Sequence, residues 1–235
     1  MLKISRDPNG QPEIFFSIQG EGANIGRPAI FLRLAYCNLR CTWCDTKYTW
    51  DWQADDSPQK IVELSAALAE EQVLKYACQY LVVTGGEPLI QQKDLSPLLE
   101  RLQNKGFYIE IETNGTLIPD EKLLDQVDHW SVSPKLRSSG NPETLRSIPE
   151  CYRLFAYINS SHFKFVVRDN EDLQELLDLS YKYNIPSEKI ILMPESQNGD
   201  DLLEKSRWLV EVCKANCFRF SFRLHTLLWG NTRGK

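Results

Sequence analysis

The sequence predicts an α/β chain folded as a partial (β/α)6 barrel with a C-terminal extension, on three observations. Short β-rich runs alternate with helical patterns along most of the 235 residues, which implies a parallel sheet. Six such units can be read in the sequence, fewer than the eight of a closed barrel. The polar clusters fall at the C-terminal ends of the runs, the face where βα barrels keep their chemistry.

In order along the chain, Ala29-Ile30-Phe31-Leu32-Arg33-Leu34 is the first strand, followed by a cysteine-rich loop. Ile61, Leu64 and Leu68 mark a helix after Ser57-Pro58, since proline is tolerated in a first helical turn. Tyr80 to Thr84 is a second strand ending at Gly85-Gly86, and Leu95, Leu98, Leu99 and Leu102 form one face of a helix. Phe107 to Thr113 alternates with period two and stops at the turn signal Asn114-Gly115. Trp130 to Ser133 is halted by Pro134, Phe163 to Val167 follows, and Ile190 to Met193 is halted by Pro194. Leu173, Leu176 and Leu177 line a helix with Asn170 as its N-cap. Leu202, Leu203, Leu209, Val210 and Cys213 line the last helix. From Cys217 the chain reads as an appended piece containing the alternation Phe218 to Phe222.

Composition bounds the function. Hydrophobic residues at 42% and charged residues at 25% are ordinary for a globular chain. The length suits one domain over residues 1–235 with a continuous core. A net charge of −5 argues against a large grip on nucleic acid, which needs clustered Lys and Arg. Neither a secretory signal nor an uncharged membrane-length run is visible, so no membrane partner is expected. Seven cysteines, an odd count, suit a reducing cytoplasm better than a disulfide framework.

Cys37, Cys41 and Cys44 stand in a C-x3-C-x2-C run. Thiolates hold iron–sulfur clusters, and a four-iron cluster needs four ligands. Three on one loop leave an iron open to a second molecule. A structural zinc site remains an alternative, although Cys41 and Cys44 have no second C-x2-C partner and His129, His162 and His225 are scattered. Cys213 and Cys217 could join such a site only by a long-range contact.

Thr84-Gly85-Gly86-Glu87-Pro88 follows the second strand. Its glycines permit close main-chain approach to a ligand, and Glu87 could hold an ammonium or hydroxyl group. Glu112-Thr113-Asn114-Gly115 offers hydroxyl, amide and bare backbone at the next rim, and Ser133-Pro134-Lys135 at the one after. Lys135 suits a carboxylate as a point charge. Each alone reads equally as a turn or cap; polar groups on successive rims are the stronger observation. Arg33 interrupts an apolar run and shares a face with Phe31 and Ala35, where a guanidinium can grip a carboxylate bidentately.

The cysteine spacing resembles the radical S-adenosylmethionine (SAM) superfamily. With Ser17-Ile18-Gln19-Gly20-Glu21-Gly22 ahead of the first strand, the rim motifs, and Trp229-Gly230-Asn231-Thr232-Arg233-Gly234 near the end, the chain resembles the 7-carboxy-7-deazaguanine synthase family. That resemblance implies a TIM-like radical SAM barrel and a lyase converting 6-carboxy-5,6,7,8-tetrahydropterin to 7-carboxy-7-deazaguanine with loss of ammonia, a step of queuosine biosynthesis. It implies a [4Fe–4S] cluster on Cys37, Cys41 and Cys44 that cleaves SAM to a 5′-deoxyadenosyl radical, with SAM regenerated. It implies Mg²⁺ on Thr46 and substrate oxygens. Ile18, Gln19, Gly20, Arg33 and Thr113 match substrate contacts; Gly85, Gly86, Glu87, Gly115, Ser133, Pro134 and Lys135 match SAM contacts. It further implies a homodimer and an electron donor such as flavodoxin or ferredoxin.

Two departures accompany the match. Arg223-Leu224-His225-Thr226 occupies a variable place, which leaves His225 as a substrate-side candidate, and the acidic stretch Asp51 to Gln59 is short for a full βα unit. Competing readings are an activase installing a glycyl radical on a partner protein, and a zinc-binding interaction module without catalysis.

Overall fold

A computed structural model describes residues 1–52, 60–196, 199–230 and 232–235. In chain order the elements are β1 (Leu2–Ser5), β2 (Ile14–Ile18), β3 (Pro28–Leu34), β4 (Ile61–Leu64), α1 (Ala66–Val73), β5 (Tyr80–Gly85) and α2 (Gln92–Gln103). There follow β6 (Tyr108–Thr113), α3 (Glu121–Gln126), β7 (His129–Val132), α4 (Glu143–Arg146), α5 (Pro149–Tyr157) and β8 (Ser161–Val167). The chain ends with α6 (Asn170–Lys182), β9 (Ile190–Pro194), α7 (Gly199–Asn216), β10 (Arg219–Phe220) and α8 (Leu224–Trp229).

Among the described residues all strands join one sheet in the order β10-β9-β8-β7-β6-β5-β3-β1-β4, with β2 on β3. From β3 to β10 each neighbouring pair is parallel. β1, β2 and β4 add antiparallel pairings at the β3 end. The six expected parallel strands are therefore present, and the two-residue β10 extends them by one.

Side-chain parity explains why this sheet carries a site. Successive strand residues face opposite sides. Ile30, Leu32, Leu34, Leu81, Val83, Ile109, Ile111, Trp130, Val132, Phe163 and Phe165 take one parity and join the helices in the main core. Phe31, Arg33, Thr84, Glu112, Lys164, Val166 and Met193 take the other parity and line a cavity on the inner side. α2 covers the outer side with Leu95, Leu98, Leu99 and Leu102, each 0% exposed, as its periodicity predicts.

The structure corrects several local expectations. Ile61–Leu64 is a strand, not a helix, paired antiparallel with β1 from Leu2↔Leu64 to Ser5↔Ile61. A short apolar run does not distinguish the two periods, and the edge of β1 decides it. Helix α1 starts only at Ala66, where the Ser65 hydroxyl accepts the Leu68 N–H at 3.2 Å; Ser57-Pro58 lies outside the described residues. The cap of α6 is Asp169, whose carboxylate accepts from the Glu171 and Asp172 N–H groups; Asn170 is already helical. Leu203 on α7 is 46% exposed, so the buried face is Leu202, Leu209 and Cys213. The alternation Phe218 to Phe222 contracts to β10. Its residues pair with Ile191 and Leu192, so the C-terminal piece continues the sheet before it returns to the cavity.

Phe165 is fully buried, with its ring 6.3 Å from Phe163. Phe165→Ala is expected to cost about 3–5 kcal/mol through lost transfer energy and a cavity, read as a lower denaturation midpoint; an unchanged midpoint would contradict this packing.

Candidate active site

The cysteine loop leaves the end of β3, and main-chain contacts hold its start in place, with side chains such as Asn141 and Arg223 fastening it further on. Gly86 N–H donates to the Leu34 carbonyl at 3.0 Å and Glu87 N–H to the Tyr36 carbonyl at 2.7 Å. A Cβ on Gly85 would collide with Leu34 backbone, and one on Gly86 with the Tyr36 carbonyl. The glycine pair is therefore needed where the loop's own backbone crosses, a closer approach than the ligand contact expected from sequence. Tyr36 turns the chain at φ 72.

Glu87 is fully buried. Its carboxylate accepts from Leu89 N–H at 3.0 Å, the Thr113 hydroxyl at 2.8 Å and Asn114 N–H at 2.7 Å. It thereby ties the β5 rim to the β6 rim and does not line the cavity, unlike Gly85 and Gly86.

Each cysteine thiol meets an N–H donor from a different segment. Asn141 Nδ2 lies 3.2 Å from Cys41 Sγ, Trp50 Nε1 lies 3.4 Å from Cys44 Sγ, and Asn114 Nδ2 lies 4.0 Å from Cys37 Sγ. All three thiols are free, and burial pushes Cys37 up to about 11 and raises Cys41 as well. A metal centre would deprotonate them. Among the described residues no three His, Cys, Asp or Glu side chains converge as a single-ion site. A cluster instead takes one thiolate per iron, with N–H donors toward the sulfurs. The donor set fits an iron–sulfur cluster.

Beside this loop lies a cavity of about 280 Å³. Ile18, Gln19, Gly20, Arg33, Cys37, Cys41, Cys44, Thr46, Gly85, Gly86, Thr113, Ser133, Lys135 and His225 all line it. Gly115 and Pro134 do not. Gly115 sits behind the rim at φ 72, with its N–H on the Thr113 hydroxyl at 3.2 Å. Thr46 Oγ1 lies 3.6 Å from Cys44 Sγ, and Lys135 Nζ donates to Ser133 Oγ at 2.8 Å.

Two carboxylates, buried Glu13 and half-buried Glu21, organise the cations around the cavity. Glu13 accepts from the Tyr48 hydroxyl at 3.1 Å, pairs with Arg33 Nε at 3.3 Å, and pairs with Arg233 Nη2 at 2.9 Å. Glu21 holds Lys164 at 2.5 Å and Arg223 at 3.1 Å, with His225 Nε2 at 3.7 Å. Burial opposes the Glu21 charge, but Lys164, Arg223 and His225 outweigh it and hold the carboxyl well below the usual range. Arg223 also pairs with Asp45 in the cysteine loop. The C-terminal segment is thus bound by charge to the two loops flanking the cavity.

Gln19 donates to Glu110 at 2.9 Å and Glu112 at 3.1 Å, while Thr84 Oγ1 donates to Glu112 at 2.7 Å. Tyr80 and Asn24 donate to the other Glu110 oxygen. The sequence reading missed Glu13, Glu110, Lys164 and Arg223 as charged partners of the site. A signal existed for two of them. Glu110 and Lys164 are charges inside otherwise apolar strands, as Arg33 is.

Burial, and then the neighbouring Glu112 charge, push Glu110 up to about 7 from 4.5. Between those values the folded state binds more protons than the unfolded state, so stability falls as pH rises. Denaturant titrations from pH 4.5 to 7 should show that decline in the wild type and a flatter profile in Glu110→Gln; equal slopes would contradict the assignment.

The radical SAM superfamily model matches residues 33–209. The 7-carboxy-7-deazaguanine synthase of Pyrobaculum aerophilum is 38% identical over 95% of this chain and 96% of its own length. That of Escherichia coli K12 is 34% identical over 92% and 96%. The crystal structure of QueE from Escherichia coli superposes with a TM-score of 0.70 at 29% identity, covering 95% and 94% of the two chains. Streptococcus suis SuiB bound to S-adenosylmethionine shares the fold alone, with a TM-score of 0.53 at 16% identity. These matches disfavour the activase and zinc-module readings. The chain belongs to the radical SAM superfamily and, within it, to the 7-carboxy-7-deazaguanine synthases.

Proposed function

We propose that this chain converts 6-carboxy-5,6,7,8-tetrahydropterin to 7-carboxy-7-deazaguanine with loss of ammonia, using SAM, a [4Fe–4S] cluster and Mg²⁺. The observation that carries this reading is one cavity lined by three free thiols, Arg33, Gln19 and the glycine rim. When bound, the cluster and SAM supply a one-electron route to a carbon radical; the protein orients the substrate and excludes competing reactions.

Cys37, Cys41 and Cys44 hold the cluster. Gly85, Gly86, Ser133 and Lys135 form the SAM side of the cavity, with Glu87, Gly115 and Pro134 fixing that rim from behind. Arg33 meets the substrate carboxylate as a charged fork. Its Glu13 partner, 3.3 Å away, limits the directions that fork can take. Ile18, Gln19, Gly20 and Thr113 set the plane of the pterin ring. Gln19 is oriented for this by Glu110 and Glu112, which both accept from its amide N–H groups. Thr46 offers its hydroxyl to Mg²⁺, a hard cation that retains other oxygen ligands. His225 closes the substrate side next to Gly20, where a Cβ would strike its ring.

We take the chain to be one domain over residues 1–235, working in the cytoplasm as a homodimer with flavodoxin or ferredoxin as reductant. The continuous sheet from β1 to β10 and the seven free thiols support the first two points. Among the described residues no helix is long and apolar enough to cross a membrane.

Anaerobic incubation of the protein with the carboxypterin, SAM, reductant and Mg²⁺ should yield the deazaguanine acid by mass detection. Cleavage of SAM without that product would refute the substrate and leave the superfamily intact. Cys41→Ala should abolish cluster binding, measured as iron and sulfide content. Thr46→Ala should weaken the Mg²⁺ dependence at full cluster content; loss of the cluster instead would remove Thr46 from the Mg²⁺ role.

A further inference from the structure

We infer that Trp50 and Asn141 are positioning residues that set the reduction potential of the cluster through N–H···S hydrogen bonds. The inference rests on the cluster assignment made for Cys37, Cys41 and Cys44. It concerns two side chains for which the function so far supplies no role.

Trp50 follows the cysteine loop, just after a short 3-10 turn at Lys47–Thr49. Its indole Nε1–H points at Cys44 Sγ from 3.4 Å. An indole N–H is donor only, so this contact has one polarity. Arg40 stacks on the indole, its guanidinium carbon 4.6 Å from the ring centroid. The same guanidinium donates to the Cys37 carbonyl at 2.6 Å and the Leu39 carbonyl at 3.0 Å. Arg40 therefore clamps Trp50 to the loop that its indole serves, so the donor is preorganised rather than merely near.

Asn141 performs the equivalent task from the opposite side. Its amide Nδ2 lies 3.2 Å from Cys41 Sγ, and its Oδ1 accepts the Arg40 N–H at 2.8 Å. That acceptance fixes which end of the amide faces the thiol. Asn141 is 8% exposed, which keeps water from competing for the sulfur. Two cysteines thus receive well-placed donors, whereas Asn114 stands at 4.0 Å from Cys37 and contributes less.

A hydrogen bond to a cluster sulfur favours the more negative, reduced state, so such donors raise the potential. The step concerned is transfer of one electron from a low-potential reductant to the oxidised cluster, with no protein bond formed or broken. Losing a donor should make that electron harder to place.

The test is a redox titration of anaerobically reconstituted full-length protein, followed by the spin-resonance signal of the reduced cluster. Trp50→Phe keeps an aromatic face for Arg40 and removes the N–H. Trp52→Phe is the control, because the Trp52 indole donates to the Tyr48 carbonyl at 3.2 Å and not to sulfur. Trp50→Phe should load iron and sulfide as the wild type does and titrate at a more negative midpoint, with Trp52→Phe unmoved. An unmoved Trp50→Phe midpoint, or an equal shift in Trp52→Phe, would overturn the inference. Should Trp50→Phe fail to load, Asn141→Leu, which removes the second donor without adding charge, decides in the same way. Failure of both to load would make the two side chains scaffold and also overturn it. Absence of a cluster in the wild type would instead refute the cluster assignment itself.

Discussion

The main chain of Leu34 lies against Gly85 and that of Tyr36 and Cys37 crosses directly over Gly86, and neither glycine has room for a Cβ. This crossing sets where the cysteine loop can lie. The β3–β5 register, with Arg33 opposite Thr84 and Leu34 opposite Gly85, delivers the two segments to each other. Two main-chain hydrogen bonds then fasten the loop, and the buried Glu87 carboxylate carries the same rigidity on to the β6 rim. Three consecutive rims are thus joined largely through backbone and one carboxylate. A cofactor bound there would meet a surface that needs little rearrangement, which is the basis of preorganised chemistry.

The inner side of the sheet is polar to an extent that stability alone does not require. Buried ion pairs are weak contributors to stability, because desolvation offsets much of their attraction. Glu13, Glu110 and Lys164 are nevertheless buried and Glu21 half-buried, each with a polar partner. Their common effect is orientation. Glu13 aims Arg33, Glu21 gathers Lys164 and Arg223, and the Glu110–Glu112 pair turns Gln19. Breaking either of the first two would leave an uncompensated charge beside the cavity. Arg223 also joins Asp45 of the cysteine loop to the segment beyond β10, so the last part of the chain is integral to the site.

Much of this architecture was legible in the sequence. Apolar parity identified the parallel strands, and the motifs at their ends marked the successive rims. The N-terminal strands β1 and β2 go unread in the sequence although the signal is there: Leu2-Lys3-Ile4-Ser5 alternates with period two, and Asn9-Gly10 is a turn pair ahead of β2. Ile61–Leu64 was misread because three apolar residues satisfy either period, and only the edge offered by β1 resolves them. Gly85 and Gly86 line the cavity as the motif suggests, but contact geometry adds a second demand on them, the main chain packed against each, and turns Glu87 to the rim instead of the cavity. Partners distant in sequence, such as Glu21 with Arg223, leave no local pattern to read.

The account rests on three thiolates holding a cluster with one iron free to bind SAM. Spin-resonance spectra of the anaerobically reconstituted, reduced protein, recorded with and without SAM, test this most directly. The account predicts a [4Fe–4S]⁺ signal whose g-values move when SAM is added. No cluster signal, or a signal indifferent to SAM, would contradict it.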